Sequence, residues 1–150
     1  RPEMRIEKDY EDLLRLLNYH KVKYCIVGAY AVAFHKRPRY TKNIDILIEP
    51  SIENAKRIIK VLIDFGFENL KLTEEDFTKN GNIIQLGYEP IRVDILTSIT
   101  GVSFLDVWED KSTGKYGKED VFFMGKRELI KNKHQTGRKQ DLLDLDLMDE

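Results

Sequence analysis

Only one cysteine, Cys25, occurs in the chain. No disulfide can therefore form within it, and the apolar strand residues around Cys25 mark a buried thiol rather than a nucleophile. An excess of either charge is missing too: 25 Lys and Arg stand against 26 Asp and Glu, a formal net charge of -1. No global field draws the protein to nucleic acid or to a membrane, so any such affinity must be local. No apolar run approaches the roughly 20 residues that a bilayer crossing requires, and the opening RPEMRIEKDY has no apolar leader core. A soluble, cytoplasmic protein without membrane attachment is expected. Internal repeats, linkers and low-complexity segments are also absent. With 150 residues, 41% of them hydrophobic, the chain has the size of one ordinary domain with a real core, and a single domain over 1–150 is expected.

What is present centres on the stretch YCIVGAYAVAFHKRPRYTKNIDILIE, residues 24–49. An apolar strand over 22–27 runs into Gly28, where the backbone can turn tightly. A short helix over 29–34 follows, then a basic loop with His35, Lys36, Arg37, Arg39 and Lys42, and then a second strand over 43–49. Side chains alternate faces along a strand, so Asn43 and Asp45 project to one side with Cα atoms roughly 6.5 Å apart, while Ile44 and Ile46 face the core. A strand, glycine and helix in succession aim backbone N–H groups and a positive dipole end at whatever lies above the strand, which suits a phosphate. Arg39 is the preferred phosphate contact in the loop, and His35 reads as a boundary residue.

The flanking pattern supplies the support. Tyr10, Leu13, Leu14 and Leu17 recur on one helical face over 7–19. Ser51 caps a crossover helix with Ile58, Ile59, Leu62 and Ile63 on one face, ending at Gly66. Thr73 and Asp76 suggest a capped single turn. Strands are expected over 83–87 and 91–96, and in the second of these Arg92, Asp94 and Leu96 share one face. An isolated Asp is disfavoured in a strand, so Asp94 calls for a reason beyond solubility. A helical turn over 103–109, one or two short strands over 116–123, a helix over 126–133 and a last helix from about Arg138 close the chain. The cations between Lys126 and Lys139, including Arg127, Lys131, Lys133, His134 and Arg138, form a second basic patch that suits either a solvated surface or contact with phosphate or RNA.

Gly28 followed by Asn-Ile-Asp on a strand and by Asp94 on a later strand resembles the nucleotidyltransferase superfamily. The phrase RPRYTKNIDILIE is similar to its small minimal nucleotidyltransferases and to members found in toxin–antitoxin pairs. GRKQDLLDL, residues 137–145, looks like their C-terminal segment, in which Lys139 and Asp141 fall. The resemblance implies an α+β fold, a mixed sheet covered by helices mainly on one face. It also implies metal-dependent transfer of a nucleotide from a nucleoside triphosphate to an acceptor hydroxyl. Asn43, Asp45 and Asp94 would be the catalytic and metal-binding residues, holding Mg²⁺ or Mn²⁺, and Gly28, Ala29, Arg39, Thr41 and Lys139 would meet the phosphates. Asn43 stands where the pattern has its first Asp, and Ala29 where it has a second Gly or Ser. The acceptor could be RNA, a protein or a small molecule. The alternative is a catalytically inactive nucleotide- or partner-binding protein, such as an antitoxin paired with a small helical toxin.

Overall fold

The computed structural model describes residues 7–36, 43–67, 70–88 and 91–148. In chain order these form α1 (Lys8–Tyr19), β1 (Tyr24–Val27), α2 (Gly28–His35), β2 (Asn43–Ile48) and α3 (Ile52–Phe65). A 3-10 turn (Glu74–Phe77), β3 (Ile83–Tyr88), β4 (Ile91–Leu96) and α4 (Phe104–Asp110) follow. The chain continues with β5 (Ser112–Tyr116), β6 (Glu119–Phe123), α5 (Lys126–Thr136) and α6 (Lys139–Met148).

Local side-chain chemistry sets the ends of these elements. The Ser51 hydroxyl accepts from Asn54 N at 3.2 Å and starts α3, and Gly66, with φ of 104°, ends it in the left-handed region. Thr73 and Asp76 form the expected box around the 3-10 turn, with Thr73 N donating to Asp76 Oδ2 at 2.7 Å. The first strand begins at Tyr24 rather than residue 22, because Asn54 takes up the Lys23 backbone on both sides. Lys23 N donates to Asn54 Oδ1 at 2.8 Å, and Asn54 Nδ2 donates to Lys23 O at 3.0 Å.

The strands make one six-stranded mixed sheet in the order β3-β4-β2-β1-β6-β5. β2 lies antiparallel to β1 and parallel to β4, so α3 is indeed a crossover. β6 runs parallel to β1, and β5 joins it as the other half of a hairpin. Alternation then sorts the apolar residues. Tyr24, Ile26, Ile44, Ile46, Ile48, Val93 and Ile95 face the larger core with α1 and α3. Cys25, Val27 and Leu47 face a smaller one with Val107 of α4, Leu129 of α5 and Met148 of α6. Asn43, Asp45 and Asp94 share the strand parity of Leu47 and Leu96, which puts them on the face that α5 and α6 cover. The fold is α+β. Among the described residues no helix is long and apolar enough to cross a membrane.

Candidate functional site

The parallel register of β2 and β4 does most of the assembly. It sets Asp45 opposite Asp94 and Asn43 opposite Arg92, while β1 sets Val27 opposite Asp45. One amide then joins both carboxylates: Asn43 Nδ2 donates to Asp45 Oδ1 at 3.1 Å and to Asp94 Oδ2 at 3.4 Å. The three residues converge as their spacing suggested. Arg92 completes the group, with Nη2 donating to Asp94 Oδ2 at 3.3 Å and Nε lying 3.2 Å from Oδ1 as an ion contact. That second contact is not aligned as a hydrogen bond, so buried Asp94 Oδ1 and Arg92 Nε keep unused bonding capacity.

Crowding leaves a chemical mark on Asp45. Burial, and then the neighbouring Asp94 charge, push its carboxyl up to about 6, against the Asn43 hydrogen bond and the positive fields of Arg92 and Lys133. Two carboxylates side by side at the edge of an apolar core favour a cation between them. Gly28 forms the wall behind Asp45. It opens α2 directly after β1 with φ of 66°, and a β-carbon there would collide with the Asp45 carboxylate. The first turn of α2 carries no side-chain cap from Val27, so its backbone N–H groups begin beside this acid.

A second charged group is built where α5 meets α6. Lys133, 5% exposed, places Nζ 3.0 Å from Asp141 Oδ1 and 3.0 Å from Asp144 Oδ2. Asp141 also accepts from Thr136 Oγ1 at 2.6 Å, and from Arg138 through its backbone N at 3.1 Å and Nε at 2.8 Å. Burial acts to raise the Asp141 carboxyl, but the hydrogen bonds from Arg138, Thr136 and Lys133 together hold it well below the usual carboxylate range. Arg138 in turn feels the negative charge of Asp45. This group therefore faces the acid pair rather than standing apart from it.

Of the residues expected at the site, Asn43, Asp45, Asp94 and Gly28 come together. Ala29 is the half-buried second residue of α2, and Lys139 is exposed at the start of α6. Arg39 and Thr41 lie outside the described residues, as do Arg37 and Lys42. His35 Nε2 lies 2.8 Å from Met124 O and ties the end of α2 to the chain beyond β6. Cys25 is fully buried, and burial pushes its thiol up to about 12, too high for a nucleophile. Two residues gained roles that the sequence did not give them. Arg92 could have been found from its place two residues before Asp94 on the same face. Lys133 carried no such signal beyond belonging to a basic run.

The donor set is all oxygen once the Asn43 amide turns over to present its carbonyl, and this suits Mg²⁺ or Mn²⁺. As the side chains stand, the Asn43 amide N–H lies between the two carboxylates and Arg92 lies against both oxygens of Asp94. Among the described residues no group of three or more His, Cys, Asp or Glu is arranged to hold a metal.

No protein-family model matches the chain. Nor does any curated protein. Solved structures do. A Thermotoga maritima protein ascribed to the nucleotidyltransferases is 16% identical, with a TM-score of 0.63, over 96% of this chain and 94% of that one. The lincosamide antibiotic adenylyltransferase LnuA, solved with lincomycin bound, is 17% identical, with a TM-score of 0.57, over 96% of each chain. At such identities the likeness is one of fold, and the fold is that of the nucleotidyltransferases.

Proposed function

We propose that this protein is a nucleotidyltransferase of one domain, which moves a nucleotide from a nucleoside triphosphate to an acceptor hydroxyl. The observation that carries the reading is the pairing of Asp45 with Asp94 across neighbouring parallel strands, beside an uncapped helix start at Gly28. The fold shared with the adenylyltransferase LnuA supports it.

In this reading the acceptor oxygen attacks the α-phosphorus, the bond from that phosphorus to the bridging oxygen breaks, and pyrophosphate leaves. Asp94 takes the proton of the attacking hydroxyl. Asp45, Asp94 and the Asn43 carbonyl would hold Mg²⁺ or Mn²⁺, which when bound supplies charge neutralisation for the phosphates and aligns the reacting oxygens. Gly28 lets the triphosphate approach the backbone at the start of α2, where N–H groups and the helix dipole favour negative charge. Arg39, Thr41, Ala29 and Lys139 belong to the same phosphate contact in this reading. Lys133 acts on Asp45 as a positive charge, largely offset by its own partners Asp141 and Asp144.

One observation favours a second reading. The Asn43 amide already bonds both carboxylates, which suits a catalytically inactive nucleotide- or partner-binding protein, of which an antitoxin facing a small helical toxin is one form. Incubating the protein with each labelled NTP, Mg²⁺ or Mn²⁺ and cell extract separates the two. Transfer of label that is lost in Asp45→Asn and Asp94→Asn is the expected result. Nucleotide bound without any transfer would select the binder.

A further inference from the structure

We propose that the acceptor lies on the open shelf of β3 and β4, over Ile83, Gln85 and Leu96, and that it is a small neutral molecule bearing a hydroxyl beside an apolar part. This rests on the transfer reading above and deepens it, because it names the class of acceptor and assigns its recognition to Gln85.

Register draws the shelf. Gln85 pairs with Asp94, Asp94 with Asp45 and Asp45 with Val27, so four strands place these residues in one row on one face of the sheet. Val27, next to Gly28, ends the row on one side and Gln85 ends it on the other, three strand spacings or about 14 Å away, with the acid pair between them. Displacement at phosphorus needs the attacking and leaving oxygens roughly in line. With the leaving phosphates at the start of α2, the attacking hydroxyl comes from the β3 side. That side is open: β3 is the edge of the sheet, Ile83 is 59% exposed, and Gln85 and Gly87 are exposed with it. Its chemistry is neutral. Ile83 pairs with Leu96 in the next row, which sets an apolar patch beside the acids. The Gln85 amide has no hydrogen bond among the described residues, and it can both donate to a ligand and accept from one. Among the described residues, Arg92 is the one cation on this face of β3 and β4, and it already lies against both oxygens of Asp94. A polynucleotide would need several free cations for its phosphates, and a small anion would need at least one.

The test gives intact protein labelled NTP, Mg²⁺ and, separately, the small-molecule filtrate, the RNA and the protein of a cell extract. Label is expected on a compound of the filtrate that a reversed-phase column retains. Label on RNA or protein alone would overturn the inference and leave the transfer reading standing, whereas no label in any fraction would sink that reading and the inference with it. Gln85→Ala should raise KM for the labelled compound about five- to tenfold, as the loss of one hydrogen bond does, with KM for the NTP unchanged. Gln85→Asn should recover part of the loss. An unchanged acceptor KM, or an equal shift in the KM for the NTP, would overturn the assignment. Because Cys25 is buried, Gln85→Cys carries the one thiol that a maleimide can reach. Its modification should stop transfer and spare NTP binding, while the same treatment of Tyr19→Cys, exposed on α1, should change neither. Transfer that survives on modified Gln85→Cys would count against the shelf. Loss of NTP binding there would do so as well, by putting the triphosphate where the acceptor is proposed.

Discussion

Asp45 is the residue at which the site and the fold pull in different directions. Its carboxyl is pushed up to about 6, first by burial and then by Asp94. A raised carboxyl means that the native state holds the proton more tightly than the unfolded chain does. The stabilisation that this brings is full below the unfolded value near 4 and is lost as pH rises through about 6. Above that, in metal-free protein, the ionised Asp45 weakens the fold. Asp45→Asn keeps the shape, can still accept from Asn43 and removes the charge. With a chelator present it should gain roughly 1–2 kcal/mol at pH 7.5, a few degrees in Tm for a chain of this length, and almost nothing at pH 4. Thermal melts at the two pH values check this. An unchanged Tm at pH 7.5 would mean that Arg92 and Lys133 already cancel the charge. The same variant should lose nucleotide transfer.

At the scale of elements, the α5–α6 corner is the feature whose failure should spread furthest. Gly137, with φ of 59°, reverses the chain and lets Asp141 and Asp144 reach back to Lys133. Asp141→Asn leaves a buried ammonium with one carboxylate fewer, and breaking such a group costs about 3 kcal/mol, or roughly 6–12 °C in Tm. The Asp141 carboxyl is depressed in the fold, so its contribution is present above pH ~4 and fades as pH falls below it. Wild type and variant melts should therefore converge at acid pH, and a constant gap down to pH 3 would refute the assignment. The corner also shows where the sequence stops being legible. Asn43-Ile44-Asp45-Ile46 announces both its faces by alternation, and Ser51, Gly66, Thr73 and Asp76 announce their caps, because those signals act over one to four residues. Lys133 meets its partners only after two helices pack, and nothing local separates it from Lys131. β5 starts four residues before the strands expected over 116–123, for a related reason. Ser112–Tyr116 has one apolar residue, Tyr116, and its place is fixed by pairing with β6 rather than by its own pattern. Two of the phosphate contacts read from the sequence, Arg39 and Thr41, fall outside the described residues.

Across the whole molecule, the acid pair belongs to strands that sit together in space and far apart in sequence. β2 lies between β1, which precedes it closely, and β4, which pairs with it only after α3 and β3 have intervened. Asn43 and Asp94 are 51 positions apart, so a ribosome adding roughly 5–20 residues per second leaves β2 waiting about 3–10 s for its partner. Throughout that interval one side of β2 is an open edge, able to template pairing with a neighbouring nascent chain. Its residues Ile44, Ile46, Leu47 and Ile48 would make it a dangerous one. A charge on such an edge disfavours pairing with another chain, so Asp45, a burden to the finished fold, would guard the growing one. Asp45→Asn should accordingly melt higher and yet give a lower soluble yield when refolded from denaturant at micromolar concentration, with light scattering that rises with protein concentration. Equal yields for the two proteins would show that the edge is protected by something else. The penalty that Asp45 imposes at equilibrium would then have a counterpart in time, as a charge on a strand edge that waits for its partner.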